Sequence, residues 1–311
     1  MTIGENLTTF DGKPVVDFQQ GNSLSPEKNA YRLRREYGAD YTFGDLVADF
    51  LSRDSVEQVT SIVTGAYSDE MYDESESMAG VVEVIVAAAD QLPNLSGLFL
   101  ADLTFEELEI SWIQQSDISP VWDAFPRLRT LGVRGGENLS LGTIVHDQLR
   151  SLTVQTGGLD TGVIAQVINA KLPELDHLEL WLGEDNYGGN SELADILPLM
   201  DSSTFPKIKY LGMKNSTYQD DIAKAVIDSS VLAQLDVLDL SMGILTDEGA
   251  DALLAHGDRL AHLKTLNLSH HFLSPEMVER LSSLACDVDV SDPQEADVDG
   301  DEVYRYIAVG E

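Results

Sequence analysis

Apolar residues recur along the chain in a six-residue pattern, L-x-x-L-x-L, in which other aliphatic residues replace some of the leucines. A weak copy at Val59-Ile62-Thr64 comes first, and Cys286-Val288-Val290 follows the clear copies as a terminal strand. The copies from Val59 onward start 21 to 36 residues apart, and such recurrence is typical of a solenoid of stacked repeats. The seven clear copies are Leu95-Leu98-Leu100, Leu128-Leu131-Val133, Leu149-Leu152-Val154, Leu175-Leu178-Leu180, Ile208-Leu211-Met213, Leu235-Leu238-Leu240 and Leu263-Leu266-Leu268.

Each copy predicts one strand of a parallel β-sheet. Side chains alternate between the faces of a strand, so the last two apolar positions share one face, which only stacking of neighbouring repeats can bury. Most intervals also leave room for a helix. Because a helix is roughly 10 Å wide and strands lie about 4.8 Å apart, we expect a curved horseshoe with the sheet on its concave face and helices on its convex face. The 21-residue step from Leu128 to Leu149 leaves room only for a turn.

Helix signals stand between the strand motifs. Thr246 precedes Asp247 and Glu248, which suits a helix N-terminus, and Ser274 followed by Pro275 forms a second such start. The predicted helices cover residues 78–92, 191–200 with an end at Pro198, 220–232, 245–256 and 274–284.

The repeats resemble a known superfamily. LDVLDLSMGILTDEGADALL paired with LKTLNLSHHFLSPEMVERL is similar to leucine-rich repeats of the ribonuclease-inhibitor type. More narrowly, the opening MTIGENLTTFDGKPVVDF and the closing VDVSDPQ and YRYIAVGE resemble a family of bacterial leucine-rich repeat proteins. The resemblance implies an α/β leucine-rich repeat solenoid and protein binding. Members of the narrower family tend to be encoded near radical-SAM-type proteins and a hydrolase, which implies a helper role in a small pathway.

The repeats do not cover the two ends of the chain. Residues 1–55 are predicted to be an N-terminal cap, with strands in PVVDF and AYRLRREY and a helix in TFGDLVADFLS; a separate functional module is the alternative. Residues 56–292 form the solenoid. Residues 293–311 form an acidic turn and a capping strand over 302–309.

The charge balance bears on the partner. The chain has 54 acidic and 19 basic residues, a formal net charge of −35. Such a field repels nucleic-acid phosphates and anionic lipid, and it speeds encounter with a basic protein. Solubility or adaptation to a salty host is the plainer explanation of the acidity. A single cysteine, a start without a basic and apolar leader, and no long apolar run predict a cytoplasmic protein.

The predicted partner-binding residues lie at strand positions that alternate with the buried ones. Trp181 and Tyr210, on neighbouring strands, are candidates for an aromatic anchor, because tryptophan, tyrosine and arginine dominate interface hot spots. The alternative is that both pack against the loop at residues 183–190. The full set is Arg134, His177, Glu179, Trp181, Tyr210, Lys214, Asp239 and Asn267.

Catalytic and cofactor signals are weak. The adjacent His270 and His271 should diverge rather than bind one metal, and the run Asp297-Val-Asp299-Gly300-Asp301 lacks the order of a calcium loop. We therefore expect no catalytic residue, metal or cofactor. The first hypothesis is a non-catalytic scaffold that holds a protein partner, basic or from a neighbouring pathway, on its concave face. The second is a ligand- or peptide-presenting accessory subunit of a multi-protein enzyme pathway, and a hydrolase site within residues 1–55 is a third.

Overall fold

The computed structural model describes residues 3–73 and 76–311, which form two compact units. The N-terminal unit consists of residues 3–155 with 169–174 and 311, and the C-terminal unit consists of residues 156–168 and 175–310. The described residues of the predicted N-terminal cap therefore lie within the N-terminal unit. The residues of the predicted solenoid are divided between the two units.

The N-terminal unit contains a sheet whose strands lie in chain order. Its strands are β1 (Thr9–Phe10), β2 (Lys13–Asp17), β3 (Ala30–Leu33), β4 (Ser61–Thr64), β5 (Gly97–Leu100), β6 (Thr130–Arg134) and β7 (Ser151–Gln155). β1 pairs antiparallel with β2, and the following pairs are parallel. The helices are α1 (Phe43–Leu51), α2 (Ala79–Ala87) and α3 (Pro120–Ala124), with 3-10 turns at Val56–Gln58, Ala89–Gln91 and Ile110–Trp112.

The C-terminal unit repeats this arrangement. Its parallel strands are β8 (His177–Gly183), β9 (Tyr210–Ser216), β10 (Val237–Asp239), β11 (Thr265–Asn267) and β12 (Asp287–Asp289). A separate antiparallel hairpin joins β13 (Asp297–Asp299) to β14 (Glu302–Tyr304). The helices are α4 (Thr161–Ile168), α5 (Leu193–Ile196), α6 (Gln219–Ile227), α7 (Asp247–Ala255), α8 (Gly257–Leu260) and α9 (Pro275–Leu281), with 3-10 turns at Asp185–Tyr187, Leu197–Met200 and Leu232–Gln234.

The leucine motifs form the strands and the core, as their spacing predicts. In the C-terminal unit the central apolar residues stand in register from strand to strand, Leu178 beside Leu211 and Leu238 beside Leu266. These four leucines are almost fully buried. Burial of one such side chain contributes about 1.5–3 kcal/mol, so a ladder of them stabilises the stack. Both units are therefore α/β leucine-rich repeat solenoids.

The helix caps follow the sequence closely. Thr246 accepts a hydrogen bond from the Glu248 amide at the start of α7, and Ser274 accepts one from the Met277 amide at the start of α9. These two predicted starts are confirmed. The helix predicted over 191–200 instead divides into α5 and a 3-10 turn, because Pro198 lacks the amide hydrogen needed to continue the first helix. The step from β6 to β7 contains no helix among its described residues, as expected from its length.

The sequence predicts the structure of the N-terminal end better than that of the C-terminal end. The strands and helix predicted within residues 1–55 are confirmed as β2, β3 and α1, while Met1 and Thr2 lie outside the described residues. At the other end a strand was expected over 302–309, but β14 ends at Tyr304. Beyond it, Ile307, Ala308 and Val309 are buried without forming a strand. The Asn215 side chain holds this segment, because it donates to the Val309 carbonyl at 2.5 Å and accepts from the Val309 amide at 2.9 Å.

None of the helices formed by the described residues is long and apolar enough to cross a membrane.

Candidate functional site

Seven of the eight predicted site residues lie together on one face of the C-terminal unit. They stand on β8, β9, β10 and β11, at positions that alternate with the buried leucines. The strand register places them side by side: His177 beside Tyr210, Trp181 beside Lys214, and Glu179, Gly212, Asp239 and Asn267 in one row across the four strands. We call this surface the C-terminal polar face.

Tyr210 lies at the centre of the C-terminal polar face. Its hydroxyl is 2.7 Å from Asp239 Oδ2 and 3.1 Å from Glu179 Oε2, so the phenol bridges two carboxylates from different strands. Gly212 makes this possible: a Cβ at that position would come within 3.0 Å of the Tyr210 ring. The His177 ring stacks on the Tyr210 ring, with ring centroids 3.9 Å apart and planes 12° apart.

The remaining charges of the network also have partners. Lys214 Nζ lies 3.5 Å from Glu179 Oε1 and 3.6 Å from Asp239 Oδ2, and it sits over the Trp181 ring at 5.6 Å. The Trp181 indole donates to Glu179 at 2.7 Å, and the Asn267 amide donates to Asp239 at 2.9 Å. Trp181 is only 7% exposed, and its contacts with Glu179 and Lys214 make it part of the network.

Burial changes the acid–base behaviour of the two aromatic groups. It raises the pKa of Tyr210, and the nearby Glu179 and Asp239 charges raise it further, so the phenol stays protonated. Burial lowers the pKa of His177, against the opposing effect of Glu179 and Asp176. The imidazole is therefore held toward its neutral form.

The C-terminal polar face becomes more acidic toward β12. Asp289 stands next to Asn267 in the register, and Asp287 stands next to Thr265. Both aspartates are exposed, whereas Asp239 is buried. A partner that reaches this face therefore meets carboxylates at its open edge.

Arg134, the eighth predicted residue, lies in the N-terminal unit and is 3% exposed. Its guanidinium is 3.1 Å from Asp102 Oδ1, donates to the Leu103 carbonyl at 2.5 Å and lies over the Phe99 ring at 5.5 Å. Asp102 is itself fully buried and also pairs with Arg32 at 2.9 Å. The structure gives Arg134 an interior role in packing and charge balance.

The sequence did not indicate that an N-terminal segment covers the face of the N-terminal unit on which Arg134 lies. The Leu7 amide donates to both oxygens of Asp102, at 3.1 and 3.2 Å, and Phe10 packs edge-to-face on Phe99. Asp11 accepts a hydrogen bond from Ser61 at 2.8 Å. The available signal was Phe99, a large apolar residue at an alternating position where a solvated face would carry a polar one.

The two adjacent histidines, His270 and His271, each have hydrogen-bond partners within the fold. His271 is buried, and its ring bonds the Val290 carbonyl at 2.9 Å and the Leu273 amide at 3.1 Å. His270 lies 3.3 Å from Asp292, a different partner. Among residues 3–73 and 76–311, histidine, cysteine and acidic side chains do not gather in threes that could hold a metal.

Comparison with known proteins finds similar solved structures. The sequence matches no family model and no curated protein. A crystal structure of a protein from Bacteroides fragilis is 34% identical, with a TM-score of 0.81, over 86% of this chain and 76% of that chain. The TLR13–ssRNA13 complex gives 14% identity and a TM-score of 0.43 over 93% of this chain and 39% of that one. An internalin (inlF) from Listeria monocytogenes is 13% identical, with a TM-score of 0.38, over 86% of this chain and 72% of that chain.

Proposed function

The chain belongs to the same family of bacterial leucine-rich repeat proteins as the Bacteroides fragilis protein, and we propose that it is a non-catalytic scaffold that binds another protein through its C-terminal polar face. The observation that carries this proposal is the network around Tyr210, in which side chains from four strands hold one another in place. Association is weakened when flexible side chains must be ordered, so a surface ordered in advance favours binding.

Charge favours a basic partner. Glu179 and Asp239 contribute carboxylates to the C-terminal polar face, and Lys214 contributes an ammonium group. Asp287 and Asp289 flank this face on β12. Lysine or arginine side chains of a partner would meet the exposed Asp287 and Asp289 first. Complementary charges raise the rate of association and exclude acidic partners, and this effect weakens as salt screens it.

The same contacts argue for binding rather than catalysis. A general base needs a carboxylate within hydrogen-bond reach of a substrate proton. Here Glu179 accepts from Trp181 and Tyr210, and Asp239 accepts from Tyr210 and Asn267. These carboxylates are engaged in shaping the surface.

The experiment is partner capture from the cells that make the protein, with tagged chain and mass spectrometry. We expect the double variant Asp287→Lys/Asp289→Lys to lose the captured partner by about tenfold or more, because like charges then face each other. Raising the salt concentration should elute the partner from the wild-type chain.

The matched control is Asp299→Lys/Asp301→Lys, which changes the net charge equally on and beside the β13–β14 hairpin. It should retain the partner. Equal retention by both double variants would refute the proposed surface.

A further inference from the structure

The N-terminal unit contains a cavity of about 480 Å³ that the proposed function does not use. Residues of three segments form its walls: Tyr72 and its neighbours, the 3-10 turn Ile110–Trp112, and Glu137 with Asn138, which follow β6. A volume of this size suits a small ligand or one side chain of a partner, since ligand pockets typically span about 300–1,000 Å³. We call this space the Trp112 cavity.

Hydrogen bonds hold the walls of the Trp112 cavity in place. Gln114 and Glu137 form an isolated parallel β-bridge, and the Gln115 amide donates to the Glu137 carbonyl at 2.8 Å. The Asn138 side-chain amide donates to Gln114 Oε1 at 2.8 Å. Walls held in this way do not have to be ordered when a ligand binds, which favours affinity.

Two aromatic rings line the Trp112 cavity and remain accessible. Trp112 and Tyr72 are each 57% exposed, whereas the other two tryptophans, Trp122 and Trp181, are 5% and 7% exposed. Tryptophan and tyrosine rings attract a cation placed over their faces, and a guanidinium group also stacks on them. Two accessible rings in one cavity therefore favour a ligand with a flat, positively charged group.

The charges of the Trp112 cavity also select a cation. Asp73 and Glu137 line it, and none of the described residues that line it is basic. The Glu137 carboxylate forms no ion pair or hydrogen bond within residues 3–73 and 76–311. Carboxylates attract a cation and repel an anion, so an anionic ligand is disfavoured here.

Ser111 gives a sign of a ligand that is independent of these charges. It lines the Trp112 cavity, and its Oγ atom is buried without a hydrogen-bond partner in the part of the chain that the structure describes. A buried hydroxyl without a partner is costly, and a ligand that donates to it offsets that cost. A quaternary ammonium group has no N–H to donate, whereas a guanidinium group has five.

We propose that the Trp112 cavity binds the guanidinium group of an arginine side chain that a polypeptide presents. The planar group lies against the Trp112 and Tyr72 rings. It donates to the Glu137 carboxylate and to the Ser111 hydroxyl. A free amino acid fits less well, because its α-carboxylate would be repelled by Asp73 and Glu137.

The site is independent of the C-terminal polar face. The Trp112 cavity is formed by residues of the N-terminal unit, and the C-terminal polar face by residues of the other unit. Loss of binding at one of them therefore leaves the proposal for the other intact.

The probes are two blocked peptides, acetyl-Gly-Arg-Gly-amide and acetyl-Gly-Lys-Gly-amide, together with free L-arginine and tetramethylammonium chloride. Calorimetry on the full chain at constant ionic strength should detect the arginine peptide, with a Kd on the order of 1 mM. We expect about tenfold weaker binding of the lysine peptide, because an ammonium group is a point charge without a planar fork. Free L-arginine and tetramethylammonium should bind at least about fivefold more weakly.

Three substitutions test the proposed contacts. Trp112→Ala and Tyr72→Ala should each weaken binding of the arginine peptide about fivefold, because one aromatic contact with the cation is lost. Glu137→Gln should also weaken it about fivefold, because the charge is lost while the shape is kept. The matched controls are Tyr37→Ala, at a tyrosine that is 88% exposed, and Glu106→Gln, at an exposed glutamate outside the cavity. Both controls should bind as the wild type does.

Four results would overturn the proposal. The first is no binding of the arginine peptide up to about 20 mM, where even a weak site gives a signal. The second is equal binding of the arginine peptide and either the lysine peptide or tetramethylammonium, which means that the planar donor group is not recognised. The third is wild-type affinity in Tyr72→Ala or in Glu137→Gln. The fourth is free L-arginine binding as tightly as the blocked peptide, which rules out a polypeptide as the preferred source. If Trp112→Ala does not fold, the other two variants and the four probes still decide the question.

Discussion

At the scale of single residues, Tyr210 holds the C-terminal polar face together. One phenol reaches Glu179 on β8 and Asp239 on β10, across its own strand. Gly212 leaves room for the ring, because a Cβ there would lie 3.0 Å from Tyr210 Cε1 and would have to displace it slightly. The Tyr210 ring, in the space that Gly212 leaves, therefore connects the Glu179 and Asp239 carboxylates.

Replacement of this hydroxyl should be costly. Tyr210→Phe removes the hydroxyl that bonds the Asp239 and Glu179 carboxylates, and a hydrogen bond to a charged group contributes about 1.5–3 kcal/mol. We expect the free energy of unfolding in urea to fall by that amount. Tyr304, whose hydroxyl bonds the exposed Glu302, is the control. If Tyr304→Phe destabilised the chain as much as Tyr210→Phe, the bridging role would be untenable.

His177 makes the stability of the C-terminal unit depend on pH. Burial lowers its pKa below the ordinary value of 6.5, so the unfolded chain binds a proton at this site before the folded chain does. The stability that neutral His177 contributes is present above pH 6.5 and is lost as the pH falls toward the lowered pKa of the folded state.

The variant His177→Gln isolates this effect from the many carboxylates. Between pH 7.5 and 5.5, the wild type should lose more stability in urea denaturation than His177→Gln loses. An equal loss in the two proteins, or a larger loss in the variant, would mean that the imidazole is not held neutral by the fold.

At the scale of elements, the N-terminal segment is fastened to the N-terminal unit through one buried carboxylate. Asp102 receives Leu7 from the segment, Arg32 from β3 and Arg134 from β6. Phe10 and Leu7 add apolar contact with Phe99 and Val63. This arrangement covers one face of the sheet in the N-terminal unit.

Loss of that carboxylate should therefore destabilise the N-terminal unit strongly. Asp102→Ala leaves two buried guanidinium groups without their shared partner, and breaking a buried pair costs about 3–5 kcal/mol. Urea denaturation followed by circular dichroism measures this change. Asp251→Ala, which breaks an exposed pair with Arg280, should cost less than about 1 kcal/mol. Equal effects of both variants would show that Asp102 does not fasten the segment.

The strands were predictable because their signal is local. Leu211, Leu238 and Leu266 occupy the same motif position, and a period of two residues assigns each to the buried face without knowledge of its partner. The grouping of the site residues follows from the same register. The burial of Arg134 was not predictable in this way. Its partner Asp102 is bonded by the Leu7 amide, which is 95 positions away in sequence. Nothing in the spacing of the motifs specifies such a distant contact.

At the scale of the whole molecule, the excess of acidic residues and the polar face act in the same direction. A formal charge of −35 attracts basic partners from a distance, within the range that salt allows. Under the proposed function, the C-terminal polar face then supplies fixed contacts at close range. Long-range attraction without such contacts would give weak binding that no single surface controls.

Carboxyl footprinting of the chain with and without its captured partner tests this account most directly. Carbodiimide labelling and mass spectrometry report the accessibility of each acid separately. The account predicts that the partner protects Asp287 and Asp289, while Asp299 and Asp301 on and beside the hairpin label as in the free chain. Protection of the hairpin acids with unchanged labelling of Asp287 and Asp289 would contradict it.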